Sequence, residues 1–139
     1  MKETIHLQSL KVPLFLTRIS IAYFMGVWAL DRLTAADHAS KVAEKFYDIG
    51  PIKISALPPT LVGIALLLLI AVFIAGYKKR ISYGLILALH LIGTIKILPT
   101  FIPFTESFVL IFSASIPTLM AMLLLYCLRN EDTLLSLDD

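Results

Sequence analysis

The chain has 139 residues, of which 58% are hydrophobic and only 16% charged, and its formal net charge is +2. A soluble domain carries charge on about a quarter of its residues, so this composition argues against a soluble protein. The sequence has no basic stripe interleaved with aromatic residues, which argues against nucleic-acid binding. A single cysteine, Cys127, excludes an intrachain disulfide and a paired-cysteine redox motif.

Four long apolar stretches predict one membrane domain over residues 1–139, an all-α integral membrane four-helix bundle. Crossing the hydrocarbon takes about 20 apolar residues per helix. The predicted spans are residues 13–30, 57–77, 81–98 and 105–128. Pro13 is expected in the first turn of the first helix, and Pro117 is expected to kink the fourth helix and to free the carbonyl of Ser113.

The loop between the first two spans, residues 31–56, contains a predicted amphipathic outer helix at about residues 35–49. Small and apolar residues recur there at helical spacing, with charged residues on the other side. The apolar positions are Ala35, Ala39, Val42, Phe46 and Ile49, and the charged ones are Lys41, Glu44, Lys45 and Asp48. Such a helix lies on the membrane surface or caps the bundle. The alternative is a plain loop with accidental periodicity.

Lysine and arginine in short loops predict the orientation of the chain. The run Lys78-Lys79-Arg80 lies in a turn of a few residues, on the same side as Lys2, Lys11 and Arg129. Both termini are therefore predicted to be cytoplasmic. The acidic tail that follows Arg129 is predicted to be mobile.

Four charged residues near the ends of three spans are predicted to lie at one level, near the outer face. They are Asp31, Arg32, Lys96 and Glu106. One interpretation is the polar mouth of a cavity that holds a ligand headgroup or relays protons. The other is interfacial anchoring, because charged side chains at span ends commonly reach the headgroups or pair.

Three further polar residues fall inside the spans, where polar groups are costly. We expect Arg18 to extend to the cytoplasmic headgroups, with a position inside the bundle as the alternative. His90 lies near the midplane, with Thr94 one turn away, which allows either a polar site or a hydrogen-bonded helix contact. A single mid-span histidine excludes a bis-histidine haem within one chain. No metal site and no catalytic residue are predicted.

Several short motifs resemble, in order, those of the DoxX-like family of small four-helix membrane proteins. The first span carries Arg18, then Ala22, then Ala29-Leu30-Asp31-Arg32-Leu33. The segment KFYDIG-PIKISALPP resembles the short outer helix of the family, and Gly76-Tyr-Lys-Lys-Arg80 resembles its exit from the second span. Glu106-Ser-Phe-Val-Leu-Ile resembles its entry to the fourth.

This resemblance implies a function in membrane redox chemistry. Some members of the family are small membrane subunits of a thiosulfate–quinone oxidoreductase. The first hypothesis is therefore an accessory subunit of a quinone-linked system in a bacterial inner membrane. Arg18, Asp31, Arg32, His90, Thr94, Lys96 and Glu106 are its candidate ligand-binding residues, with a quinone as the ligand and no intrinsic cofactor. The alternative is a non-enzymatic assembly, docking or small-ligand-binding protein. Its expected partners are membrane lipid and a redox enzyme subunit or a second copy of the chain, and whether it is itself an enzyme is left open.

Overall fold

The computed structural model describes residues 2–101 and 112–138, with side chains at 8–99 and 112–138. This part of the chain forms five α-helices: α1 (Lys2–Thr34), α2 (Ala36–Phe46), α3 (Pro59–Ile74), α4 (Lys79–Ile97) and α5 (Ser115–Cys127). Short 3₁₀ helices follow α2, at Ile54–Ala56, and α4, at Leu98–Phe101. The predicted all-α class is confirmed for the described residues.

The helix ends differ from the predicted spans in ways that local chemistry explains. α1 is 33 residues long, so Pro13 lies inside it and the expectation that Pro13 opens the helix is wrong. α3 ends at Ile74, before Gly76, which has a positive φ of 59°. α5 begins at Ser115, which places Pro117 in its first turn. Phe112 is helical and residues 113–114 form a turn, so the helix is interrupted upstream of Pro117 as expected. The Ser113 carbonyl, which Pro117 cannot bond, accepts the Ile116 N–H at 3.3 Å.

Among the described residues, two helices are long and apolar enough to cross a membrane, namely Gln8–Thr34 within α1 and Lys79–Ile97, which is α4. The described parts of the other two apolar helices, α3 and α5, are shorter. At about 1.5 Å per residue, α3 measures about 24 Å, against a hydrocarbon core of about 30 Å. Residues 105–111 of the predicted fourth span lie outside the described residues.

The bundle consists of two antiparallel helix pairs. α1 packs on α3, with Arg18 beside Gly76 at one end and Ala29 beside Gly63 at the other. A Cβ added to Gly63 would lie 3.0 Å from Leu33 Cδ2 and 3.1 Å from the Ala29 carbonyl oxygen, so the glycine allows the two backbones to approach closely. α4 packs on α5, where His90 bonds the Ser115 carbonyl. The buried core joins all four helices through Leu14, Ile21, Met25, Phe73, Tyr83, Ile86, Met122 and Leu125.

The predicted outer helix is present as α2, shorter than expected. Ala39 and Ala43 are buried, while Lys41, Glu44 and Lys45 are exposed. The helix ends at Phe46 instead of residue 49, and the chain then turns at Gly50, whose φ is 55°. The predicted amphipathic helix is confirmed.

The C-terminal tail folds back onto the bundle, so the predicted mobility is wrong for residues 129–138. The Leu137 N–H donates to the Ala75 carbonyl at 2.8 Å, and the Asp138 N–H donates to the Gly76 carbonyl at 3.1 Å. Carbonyls at the end of a helix lack donors within the helix. The tail therefore supplies a cap for the C-terminal end of α3.

Candidate functional site

Arg18 lies inside the bundle, with no exposed surface. Its Nη1 is 3.3 Å from Asp132 Oδ2, and its Nη2 donates to the carbonyls of Leu134 at 2.5 Å and Leu135 at 3.0 Å. The expectation that Arg18 reaches the headgroups is therefore wrong. The alternative, a position inside the bundle, is confirmed, because the folded tail supplies the acceptors.

Tyr83 completes this buried group, here called the inner triad (Arg18, Tyr83 and Asp132). The Tyr83 hydroxyl donates to Asp132 Oδ2 at 2.7 Å and accepts from Arg18 Nη1 at 3.2 Å. Breaking a buried ion pair by removing one partner is strongly destabilising. The triad therefore has the chemistry of a structural anchor between α1, α4 and the tail.

Of the four predicted outer charges, the three that lie in the described residues form no ion pair with one another. Asp31 pairs with His38 at 2.8 Å, and Lys96 Nζ donates to the Asp48 carbonyl at 3.0 Å. Glu106 lies outside the described residues. The bonds of Asp31 and Lys96 hold α2 and the loop after it against α1 and α4, which is the geometry of the anchoring interpretation.

Arg32 points inward and is only 7% exposed. Its guanidinium carbon lies 5.7 Å from the centre of the Tyr47 ring, and its Nε has no hydrogen-bond partner among the described residues. Burial raises the pKa of Tyr47, and the positive charge of Arg32 lowers it by less. The Tyr47 phenol therefore keeps its proton at neutral pH. Arg32 and Tyr47 together present hydrogen-bond donors toward the interior.

Thr94 is buried on the inner face of α4, and its hydroxyl has no partner in the described part of the chain. Other helical threonines, at positions 17, 34 and 118, each donate to the carbonyl one turn back, at 2.7–2.9 Å. The neighbouring Gly93 allows Tyr47 to approach α4, since an added Cβ would lie 3.2 Å from the Tyr47 hydroxyl. The Thr94 hydroxyl therefore lies one residue from the place where Tyr47 meets α4.

His90 joins α4 to α5. Its Nε2 donates to the Ser115 carbonyl at 3.0 Å, and its ring meets Phe24 edge to face at 5.4 Å between centroids. Because a carbonyl only accepts, Nε2 carries a hydrogen and Nδ1 of the neutral ring is an acceptor. The Ser115 hydroxyl is buried without a partner in the described residues. His90 is thus the predicted hydrogen-bonded helix contact, and it lies beside a further unpaired donor.

These five residues, Arg32, Tyr47, His90, Thr94 and Ser115, are here called the outer donor site. Arg32 contacts Tyr47, Tyr47 reaches α4 at Gly93, and His90 links α4 to Ser115. Five buried side-chain atoms have no partner among the described residues: Arg18 Nε and Asp132 Oδ1 in the inner triad, and Arg32 Nε, Thr94 Oγ1 and Ser115 Oγ in the outer donor site. Buried polar groups almost always have a partner, so the three in the outer donor site call for a water, an ion or a ligand. Arginine and hydroxyl groups suit a ligand that carries carbonyl or phosphate oxygens. Among the described residues, no three His, Cys, Asp or Glu side chains come together as a metal site.

Sequence reasoning missed Tyr47 and Ser115 as site residues, and Tyr83 and Asp132 as partners of Arg18. A tyrosine or serine in an apolar chain has no spacing signal of its own. The only signal for the tail was its apolar content, since Leu134, Leu135 and Leu137 interrupt its acids.

Comparison with known proteins found no match among protein-family models, curated proteins or solved structures. The DoxX-like resemblance stays a prediction.

Proposed function

We propose that the protein is an integral membrane four-helix bundle that binds a quinone at the outer donor site, as an accessory subunit of a membrane redox system. In this proposal the four apolar helices cross a bacterial inner membrane, and both termini and the Lys78-Lys79-Arg80 turn are cytoplasmic. α2 lies at the outer surface. The DoxX-like resemblance suggests the redox context.

The membrane assignment is supported by the apolar surface of α3. This helix is apolar all round, and such helices are either buried or membrane-spanning. Leu61 and Leu68 are 63% and 64% exposed, so α3 is not enclosed by the described residues of the chain. An exposed apolar surface of this kind suits lipid. The 16-residue α3 reaches across with its flanking residues at the interface or with local thinning of the bilayer.

The single observation that carries the ligand proposal is the set of buried, unpaired donors at Arg32, Thr94 and Ser115. A quinone offers two carbonyl oxygens on an apolar ring, so it would satisfy donors while its ring and tail stay among apolar side chains. Arg32 would hold one carbonyl by a charge-assisted bond, and the Thr94 or Ser115 hydroxyl would hold another acceptor. The chain would bind and orient the quinone, and the electrons would come from a partner enzyme.

Quinone binding can be measured with the protein's own fluorescence. Trp28 is the only tryptophan and lies one helical turn before Arg32 on α1. Titrating the purified protein with a short-chain ubiquinone should quench Trp28 and saturate. Arg32→Gln should weaken binding by about tenfold or more, since bonds to charged groups contribute about 1.5–3 kcal/mol. Lys41→Gln, on the exposed face of α2, is the charge-matched control.

A linear, unsaturable quench that is equal in wild type and Arg32→Gln would contradict the quinone site. The docking alternative is tested by replacing His90, Lys96 and Glu106 together with apolar residues. We expect this variant to lose quinone binding, and the redox system to lose activity at normal expression of the variant. We also expect the variant to copurify with a partner enzyme as the wild type does. Unchanged activity would favour a docking protein.

A further inference from the structure

The turn between α3 and α4 and the returning tail enclose a cleft of about 700 Å³ at the end of the bundle opposite the outer donor site. Its polar lining consists of Lys78, Lys79, Arg80, Arg129, Asn130 and Asp138. Four cations thus face one acid. That acid is already engaged, because Asp138 Oδ2 accepts the Lys79 backbone N–H at 3.1 Å and the Asp138 carbonyl accepts the Lys79 ammonium.

Two of the remaining cations, Arg129 and Lys78, contact tyrosine rings. Arg129 lies over the Tyr126 ring at 4.6 Å and donates Nη1 to the Tyr126 carbonyl at 2.8 Å. Lys78 lies 5.6 Å from the centre of the Tyr77 ring. Tyrosines beside cations are typical of the interface between a membrane and water. Lys78, Arg80 and Arg129 form no ion pair with an acid of the described chain, and the four cations of the cleft outnumber its one carboxylate.

A second, apolar groove of about 330 Å³ begins where the basic cleft ends. It runs along α3 and α4, and its apolar lining includes Leu68, Leu69, Val72, Tyr77 and Ile81. Lys78 and Ile81 line both the groove and the cleft. One molecule with an anionic head and an apolar chain would therefore fit the two together.

We propose that this continuous surface binds one anionic phospholipid, with its phosphate among Lys78, Arg80 and Arg129 and an acyl chain in the groove. A free phosphate would pair with the cations but leave the groove empty. A zwitterionic lipid would fill the groove but bring its own positive charge next to the cations of the cleft. This inference uses only the membrane placement from the proposed function and is independent of the quinone site.

The test uses the full chain in detergent with equal amounts of phosphatidylglycerol and phosphatidylcholine, and native mass spectrometry counts the lipids retained. We expect one phosphatidylglycerol retained in preference to phosphatidylcholine. Arg80→Gln/Arg129→Gln should lower this preference by about thirtyfold, since each basic residue near an anionic membrane contributes about 1 kcal/mol and about 1.4 kcal/mol corresponds to a factor of ten. Lys41→Gln/Lys45→Gln removes the same charge at the other end and should leave the preference unchanged.

The groove is tested separately with Val72→Phe, which fills it, against Ile64→Phe, which places the same ring on the exposed surface of α3 about two turns away. Only Val72→Phe should lower phosphatidylglycerol retention, and inorganic phosphate at millimolar concentration should not displace the lipid. Equal retention of both lipids, equal effects of the two charge pairs, or displacement by phosphate would overturn the proposal. Carbonate extraction from membranes distinguishes a failure of the lipid site from a failure of the membrane placement. Release of the chain by carbonate would refute the membrane placement itself.

Discussion

At the scale of single residues, the chain treats its buried polar groups in two opposite ways. The charges of the inner triad are paired, with Arg18 bonded to Asp132 and to the tail carbonyls. Only Arg18 Nε and Asp132 Oδ1 in this triad lack a partner among the described residues. The outer donor site leaves the hydroxyls of Thr94 and Ser115 without partners in the described residues. Pairing favours stability and unpaired donors favour binding, so substitutions at the two sites should have opposite consequences.

Asp132→Asn should destabilise the fold, because it keeps the shape of the side chain and leaves the buried Arg18 cation without an anion. Removing one partner of a buried ion pair costs about 3–5 kcal/mol. Thermal unfolding in detergent, followed by circular dichroism, measures the loss. Glu131→Gln is the control, and Arg18→Met/Asp132→Leu should recover much of the stability. Equal melting temperatures for Asp132→Asn and Glu131→Gln would show that the triad is not an anchor.

Thr94→Val should raise the stability of the quinone-free protein and weaken quinone binding. The substitution keeps the shape and removes a buried hydroxyl whose missing bond costs about 1–3 kcal/mol. The melting temperature should therefore rise, while the quinone affinity measured by Trp28 quenching should fall. Thr118→Val is the matched control, since that hydroxyl donates to the Ala114 carbonyl at 2.7 Å and its loss gives no gain in stability. A destabilised Thr94→Val protein that binds quinone normally would refute the assignment.

At the scale of elements, α1 and α3 approach each other closely at Gly63. Gly63→Val should destabilise the bundle by about 1–3 kcal/mol, the usual cost of overpacking, because even a Cβ would lie 3.0 Å from Leu33 Cδ2. Gly26→Val is the control, since a Cβ at Gly26 meets nothing within 4 Å. Detergent unfolding compares the two variants. Equal stability would show that α1 and α3 do not need this close approach.

The loop after α2 should show a pH dependence that Asp48 controls. The Ser55 hydroxyl, at 2.6 Å, and the Ser55 N–H, at 2.9 Å, hold the pKa of Asp48 below its ordinary 3.8. Because the folded-state pKa is lowered, the contribution of the carboxylate to stability is present above pH 3.8 and is lost as the pH falls through the folded-state value. Ser55→Ala should raise the pKa of Asp48, and Ser40→Ala should not. Carbon NMR of the Asp48 carboxyl group measures this pKa. An unchanged titration in Ser55→Ala would show that the Ser55 bonds do not lower it.

The helices were the predictable elements, because their cause is local. Apolar runs and helical spacing predicted α2 and the positions of the apolar helices. The observed helix ends differ from the predicted ones near Gly76 and Pro117. The partners of the site residues were not predictable, because they come from distant segments. Arg18 is satisfied by a tail that looked mobile, and Arg32 is buried by a tyrosine whose neighbours give no periodic signal.

At the scale of the whole molecule, the site and the lipid surface share one premise, which is that the described helices lie across a bilayer with the two polar ends at opposite faces. The inner triad and the basic cleft lie at one end of the bundle. The outer donor site and α2 lie toward the other. If the helices do not cross, the apolar surface of α3 must be covered by something other than lipid, and neither ligand would reach its site as proposed.

Cysteine accessibility tests that premise most directly. In a Cys127→Ser background, single cysteines at Lys78 and Asn130 should react with a membrane-impermeant maleimide only after the membrane is opened. Cysteines at Lys53 and Leu98 should react in intact cells. That pattern requires three crossings, by α3, by α4 and by the predicted fourth span that ends with α5. Labelling of Lys78→Cys and Lys53→Cys from the same side, or of Asn130→Cys and Leu98→Cys from the same side, would contradict it.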